Sequence, residues 1–401
     1  MIRRIAVTGG PERQNLPKRL PGVSQEIDKP PGFGPQVPDT VPRRQRSGVQ
    51  EDTARAWKSH CLYRLAAELP ITRVPVIITR TPLRISIGGG GTDLPSYYRR
   101  FGGFVISAAI NKHIYVGINE TFSGGYFLKY SALEHALTLN DIRHPLIREV
   151  LRMHDVRPPI EVVSMADVPA GTGLGSSGAF TVGLLRAVHA FQRKYVDPAI
   201  VAEEACKIEI EILQEPVGKQ DQYIAAFGGL ACFEFAEDGQ VSVAPLKICN
   251  STLYNLEDRL MMFFTGYSRN ASAVLDDQKV RSELGDNAML DNLHFTKQLG
   301  KCIQLALEQG NIRRFGELMH EHWMHKKQRS PGTSSEGINR WYEIGRENGA
   351  VGGKLVGAGG GGFLLFYADD RDALRRAMVK EGLQEFRFKF DLEGSKLLSR
   401  D

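Results

Sequence analysis

Apolar positions along the chain follow two periods. Short β-branched runs alternate with a period of two, and other stretches repeat every three to four residues. Val76-Ile-Ile-Thr79 and Arg84-Ile-Ser-Ile87 read as strands parted by Pro82. Phe104–Ile110, Ile114–Ile118, Glu161–Met165 and Leu260–Thr265 read as further strands. In Pro145–His154, Leu146, Ile147, Val150 and Leu151 share one helical face. Helices are also predicted over about Ser176–Gln192 and Pro198–Leu213, the second ended by Pro216. The stretch Asn287–Gln328 reads as mostly helical, and Lys354–Val356 and Phe363–Tyr367 as strands around a loop. Gly88–Gly91, Gly171–Gly178 and Gly359–Gly362 are glycine-rich breaks in this pattern. No internal repeat occurs. The expected class is α+β, a mixed α/β chain.

The pattern is missing from the start of the chain. Residues 1–70 hold nine of the 20 prolines, with Pro30-Pro31-Gly32 among polar residues. Such a segment has too little apolar surface to offset its ordering entropy, so residues 1–72 are expected to be a disordered extension. Met1-Ile-Arg-Arg resembles the charged start of a secretory signal, but no apolar stretch follows, so export is not expected. Ile5–Gly10 resembles a strand entering a nucleotide loop until Pro11 interrupts it. Thr53–Leu69 could form a short amphipathic helix.

Composition narrows the function classes. A chain of 401 residues, 24% charged and 42% hydrophobic, is ordinary for a folded protein of roughly two domains. The expected division is 73–250 and 251–401. No apolar run is long enough for a membrane helix. The net charge of +5 arises at the N-terminus, where residues 1–70 hold 12 basic and 7 acidic side chains against 39 of each beyond. A neutral body gives no support for a nucleic-acid surface. The five cysteines form no C-x-x-C pair, which argues against structural zinc and disulfides and fits a reducing, cytoplasmic location.

The glycine-rich breaks carry the chemistry. Pro169-Ala-Gly-Thr-Gly-Leu-Gly-Ser-Ser-Gly178 lies between a strand and a helix. Glycines there let backbone N–H groups turn inward, and a helix start adds free donors and positive potential, a setting for phosphates. It lacks the Gly-Lys-Ser/Thr of a Walker A loop. Its Leu-Gly-Ser-Ser core resembles the second motif of the GHMP kinases. Thr81-Pro-Leu-Arg-Ile-Ser-Ile-Gly-Gly-Gly-Gly-Thr-Asp93 resembles their first motif, aligning without gaps to the galactokinase pattern. Lys354-Leu-Val-Gly-Ala-Gly-Gly-Gly-Gly-Phe363 resembles their third. Arg84–Tyr98, His144–Glu149, Ser164–Pro169, Ile208–Leu213, Gly218–Tyr223 and His320–Trp323 look like the bacterial D-glycero-D-manno-heptose 7-phosphate kinases. The resemblance covers about residues 74–400. Gly178-Ala179 is a mild departure, since relatives often carry small hydroxyl or Ala residues there.

The resemblance implies a two-domain fold with the active site between domains, and an enzyme using ATP and Mg²⁺. Pro169, Gly171, Gly173, Leu174, Gly175, Ser176 and Ser177 would hold ATP. Ser176 or Ser177, with Glu209, would hold the metal; Glu211 on the same predicted helix is the alternative, as is a merely solvated acidic face. Asp221 would accept the proton of the anomeric hydroxyl, as against an Asp making an ordinary turn. Arg84 would neutralise charge beside it, as against a surface ion pair. Asp93, Gly90, Gly91, Gly360 and Gly361 would meet the sugar. Galactokinases carry Glu-His where this chain has Gly90-Gly91, so a wider sugar site is expected. Arg269, with Lys326, Lys327 or Arg329, is a candidate for the sugar's phosphate, although each is commonly just a solvated charge. His320, His322 and His325 invite a metal reading, but only the last two share a face and no third ligand is visible. The implied partners are ATP and a sugar phosphate, with no nucleic acid and no membrane. The implied reaction gives the 1,7-bisphosphate, which would feed nucleotide-activated heptose for surface polysaccharide. The rivals are a kinase for another sugar, such as fucose, and a non-catalytic sugar- or ATP-binding regulator.

Overall fold

The strands come first because they position the site. The computed structural model describes residues 76–266 and 271–400. Ile5–Gly10, Thr53–Leu69 and Arg269 therefore lie outside the described residues. The strands are β1 (Ile77–Gly88), β2 (Gly103–Glu120), β3 (Tyr126–Lys129), β4 (Leu133–Ala136), β5 (Ile160–Ala166), β6 (Leu230–Phe235) and β7 (Val241–Pro245). Then follow β8 (Leu260–Gly266), β9 (Ala350–Leu355), β10 (Gly362–Ala368), β11 (Gln384–Glu385) and β12 (Lys396–Arg400).

The first sheet is centred on β2. This long strand pairs with β1 along one edge, and on the other with β6 through 103–108 and β5 through 114–120. The sequence pattern divides each of these into two short strands, at Pro82 and at the polar stretch Asn111–His113, yet both β1 and β2 run straight through. Pro82 interrupts nothing because the pairing merely shifts register between Pro82 and Leu83, which absorbs the missing donor. The second sheet runs β11-β8-β10-β9, all antiparallel. β12 returns to the first sheet and covers the start of the outer edge of β1, from Ile77 opposite Arg400 to Arg80 opposite Lys396. Such an edge otherwise offers unpaired N–H and C=O groups.

The helix Ser176–Phe191 packs on the face of β1 and β2. Residues Gly178 through Leu185 and Ala187 through His189 are all buried, so it is a core helix rather than an amphipathic one. Gly183 permits the close approach: a Cβ there would lie 2.7 Å from Thr81 Oγ1 and 3.5 Å from Val116. Thr79 Oγ1 donates to Gly183 O at 2.9 Å, pinning helix to strand.

The predicted helix Pro198–Leu213 changes character midway. Asp197 caps its start by accepting from Ala199 N, and Pro198 takes the first position. After Cys206 it widens into a π-helical turn over Lys207–Ile212. That turn buries Ile208 and Glu209 and leaves Glu211 exposed. Asn287–Gln328 is two helices, Asn287–Glu308 and Ile312–Lys327, parted by Gly310 at φ +72° and capped anew by Asn311. Helices Ala271–Glu283, Glu336–Glu347 and Arg371–Lys380 escaped the sequence pattern. The second sheet has its own core around Trp323, Tyr342, Phe263 and Phe366. No helix among the described residues is long and apolar enough to cross a membrane.

Replacing Gly183 with Leu forces this helix off the sheet. Overpacking of this kind costs about 1–3 kcal/mol, partly offset by leucine's better helix propensity. The urea midpoint of Gly183→Leu should fall accordingly; an unchanged midpoint would show that the helix does not need this contact.

Candidate active site

Arg84 points from β1 into the molecule and is nearly buried, with 6% of its side chain exposed. Its Nε donates to Asp221 Oδ1 and its Nη2 to Asp221 Oδ2, both at 2.7 Å. Its Nη1 donates to Gly173 O at 2.6 Å, and its backbone N–H donates to Leu174 O at 3.0 Å. Asp221 lies in the first turn of the helix Gln220–Phe227 rather than in a free turn. Gly178 lets this segment come close, since a Cβ there would sit 2.9 Å from Asp221 Cβ. Two sequence-predicted residues thus meet in a bidentate pair.

The phosphate-type loop borders that pair. Gly171, Gly173 and Gly175 have φ of +78°, +82° and +74°, which glycine adopts freely. Pro169 and Gly171 are exposed, and Leu174 is buried. Gly175 precedes Ser176 without any side-chain cap on the helix Ser176–Phe191. The first-turn N–H groups are therefore left for another acceptor. A Cβ on Gly173 would press on Val356 O at 2.8 Å, and one on Gly357 would reach Gly173 Cα at 2.7 Å. Motifs two and three meet backbone to backbone.

Ser177, rather than Ser176, touches Glu209: its Oγ donates to Glu209 Oε2 at 2.6 Å. Gln222 Nε2 donates to Glu209 Oε1 at 3.0 Å, while Gln222 Oε1 is buried without a partner. Burial pushes the Glu209 carboxyl up to about 7; the bonds from Ser177 and Gln222 oppose this, and the nearby Asp221 adds to it. A hydroxyl, a carboxylate and a spare amide oxygen are hard donors of the kind Mg²⁺ takes.

Beside the Arg84–Asp221 pair lies a cavity walled by Ser86, Asp93, Gln220, Gln278 and a group of cations. Lys326 donates to Leu355 O at 2.9 Å and also to Gly357 O. Arg329 donates to Gly90 O and Asn292 Oδ1 at 3.0 Å and to Thr296 Oγ1 at 2.7 Å. Lys354 Nζ lies 3.3 Å from Ile87 O and 3.4 Å from His322 Nδ1. None of these three cations forms an ion pair among the described residues. Burial, then Arg329 and Arg84, push Lys326 down to about 7. Burial and then Lys326, Arg329 and Arg84 hold Lys354 well below the ordinary lysine value. Burial brings Arg329 down to about 10, still protonated at neutral pH. The cluster repels itself, and Asp93 is the carboxylate near it, acting on Arg329 without forming an ion pair.

Asp93 is buried at this wall, accepting from Gly91 N at 2.9 Å and Gln220 N at 3.3 Å. Burial and then Asp221 raise its pKa, against those backbone bonds. Gly218 yields room for it, since a Cβ there would lie 2.0 Å from Asp93 Oδ2. Gly90 and Gly91 do line the cavity. The wider space expected at Gly91 is taken by Arg329, whose Nη1 would be 2.5 Å from a Cβ there. From the third motif the wall takes Lys354, Gly357 and Ala358, not Gly360 and Gly361; Gly360 instead donates to Thr333 O at 3.1 Å. His322 lines the wall, whereas the His325 ring stacks on Phe295 with centroids 3.6 Å apart. Lys327 lies outside the wall, over the Trp323 ring. The sequence reading gave Lys354 no role. A single lysine inside the buried strand Ala350–Leu355 was the available signal.

Comparison with known proteins agrees with this geometry. The GHMP kinases N-terminal domain matches residues 142–229 and the GHMP kinases C-terminal domain matches residues 303–384. D-glycero-alpha-D-manno-heptose 7-phosphate kinase of Campylobacter jejuni is 31% identical over 334 residues, covering 80% of this chain and 98% of the relative. The crystal structure of a D-glycero-D-manno-heptose 1-phosphate kinase from Bacteroides thetaiotaomicron aligns with a TM-score of 0.66 at 26% identity, over 80% of this chain and 99% of that one. L-fucokinase/L-fucose-1-P guanylyltransferase of Bacteroides fragilis is 26% identical over 75% of this chain, which spans 35% of that longer protein. The chain belongs to the GHMP kinases. Within them it is an ATP-dependent sugar kinase.

The raised Glu209 carboxyl makes metal-free stability depend on pH. Its folded value of about 7 exceeds the ordinary 4.5, so the stability its proton confers is full below pH 4.5 and lost as pH rises through 7. In EDTA, Glu209→Gln should gain on wild type by on the order of 3 kcal/mol between pH 4.5 and 8. Unfolding curves at the two pH values check this; a gap that ignores pH would mean Glu209 ionises without cost.

Proposed function

We propose that the enzyme transfers the γ-phosphoryl group of ATP to the anomeric hydroxyl of D-glycero-D-manno-heptose 7-phosphate, giving the 1,7-bisphosphate. The observation that supports this substrate is the set of three buried cations, Lys326, Arg329 and Lys354, gathered on one cavity wall with only neutral hydrogen-bond partners. A neutral sugar offers such a group only hydroxyl acceptors. A sugar that brings its own phosphate offers an anion that can meet several of the cations at once. The similarity to the Campylobacter enzyme points the same way.

In this reading the sugar lies between that wall and Asp221. Asp221 accepts the hydroxyl proton as the sugar oxygen bonds to the γ-phosphorus, and the bond to ADP breaks. Arg84 holds both carboxylate oxygens in place, leaving lone pairs for the incoming hydroxyl. Asp93 accepts from sugar hydroxyls with the lone pairs its two backbone donors leave free. The loop from Gly171 to Ser177 and the uncapped helix start hold the ATP phosphates. Ser177 and Glu209 are the residues that would hold Mg²⁺, with Gln222 beside them. Mg²⁺ supplies neutralisation of the phosphate charge that develops during transfer.

Release of ADP is the measurement, run on the heptose 7-phosphate, the free heptose, L-fucose and galactose. Turnover should require the phosphorylated sugar; equal turnover of L-fucose would overturn the substrate and keep the kinase. Asp221→Asn should lower kcat by about 10²–10⁴-fold with the fold intact. Lys326→Met should raise KM for the heptose phosphate by about 10–100-fold, the worth of a hydrogen bond to a charged group. An unchanged KM would remove Lys326 from the phosphate pocket.

A further inference from the structure

Three helices meet at a second polar cluster, remote from the chemistry. His154 ends the helix Pro145–Met153, His189 lies in the last turn of Ser176–Phe191, and Glu204 belongs to Pro198–Cys206. One ligand atom from each lies within 4.8 Å of the other two, the sole such cluster among the described residues. His189 Nε2 is 2.7 Å from Glu204 Oε2, and His154 Nε2 is 3.5 Å from the same oxygen. The two rings cross edge to face with centroids 4.6 Å apart.

Burial makes the cluster informative. The His154 side chain is only 8% exposed, and its Nε2 lies 3.5 Å from Glu204 Oε2, at the outer limit of a hydrogen bond and without good geometry. A buried imidazole nitrogen held this loosely is better satisfied by a closer partner. The two imidazole nitrogens and one carboxylate oxygen are a donor set that suits zinc. The 3.5 Å from His154 Nε2 to Glu204 Oε2 is close to the edge of a tetrahedron with bonds of roughly 2 Å, while the 2.7 Å from His189 Nε2 to that oxygen is a direct hydrogen bond that a metal would replace and lengthen. Glu204, with a quarter of its side chain exposed, leaves an opening to solvent for entry and for a fourth, water ligand.

We propose that His154, His189 and Glu204 form a structural site for a divalent transition metal of the zinc class. The site differs in kind from the Ser177–Glu209 pair, whose oxygen donors suit a hard cation. It is also distant: His189 stands twelve residues along the helix from Ser177, about 18 Å at 1.5 Å per residue. A metal there fixes the far end of the helix that presents Ser177. Through Glu204 it also fixes the helix that leads into Glu209. Two elements of the catalytic site would thus share one remote anchor. The proposal stands whichever sugar the enzyme uses. The three residues are too widely spaced in sequence to form a recognisable motif.

The test is metal binding by the full chain, stripped with a chelator and kept in excess Mg²⁺. Zn²⁺ is titrated against a chromophoric chelator, and Co²⁺ is added separately to read its visible spectrum. Wild type should bind one Zn²⁺ per chain and melt several degrees higher with it. Co²⁺ should give the intense bands of a tetrahedral site. His154→Ala and Glu204→Gln should bind at least tenfold more weakly and lose the melting shift, with helicity checked by circular dichroism. No stoichiometric Zn²⁺ in wild type, or binding that survives in both variants, overturns the site. Should a variant fail to fold, the wild-type Co²⁺ spectrum still decides, because its absence rules out this coordination.

Discussion

The buried guanidinium of Arg84 is the contact on which the site depends. Its side chain reaches Asp221 and Gly173, and its backbone reaches Leu174, so one residue of β1 joins the helix that carries Asp221 and the phosphate-type loop. It also balances charge. Asp221 lies close enough to Asp93 and Glu209 to raise the pKa of each, so three carboxylates crowd one region. Without Arg84 that crowding would be relieved only by protonation or by movement apart. Lysine could not replace it, since only the planar fork makes two parallel bonds to a carboxylate and a third to a carbonyl.

Around this pair the chain is drawn together by absent side chains. Gly173 meets Gly357, Gly178 meets Asp221, Gly218 meets Asp93, and a Cβ on Gly362 would fall 2.3 Å from Thr172 O. The Gly173–Gly357 and Gly362–Thr172 contacts join the phosphate-type loop to the segment between β9 and β10 through backbone, while the other two seat the side chains of Asp221 and Asp93. The relative placement of Arg84, Asp221, Lys326 and Lys354 is therefore set by surfaces with few rotamers to adjust.

Much of this arrangement was legible in the sequence. Ser176–Phe191 was readable because its apolar run begins at a glycine-rich loop, and Arg84, Asp93 and Asp221 were readable as members of specific motifs. Other features depend on tertiary partners. β2 continues past Asn111 and Lys112 because β1 pairs with it on both sides of these residues, from Ile106 to Ile110 and from His113 to Ile118, which no local pattern reports. The π-helical turn that separates Glu209 from Glu211 has no compositional mark, and the sequence left both residues as candidates. Arg329 filling the space beside Gly91 is a contact between distant segments, so glycine there read as open room. Lys326 and Arg329 resemble solvated helix charges until the helix is known to bury that face.

The return of β12 to β1 has a consequence for how the protein is made. The first strand leaves the ribosome early, and domains generally begin to fold as they emerge. Yet the outer edge of β1 acquires its partner only when residues 396–400 have been synthesised. Contacts this far apart in sequence form late and slowly. During that interval an open, β-branched edge is available to any neighbouring nascent chain. Translation that halts before Lys396 therefore releases a sticky strand, and the pace of synthesis up to β12 becomes part of the protein's solubility.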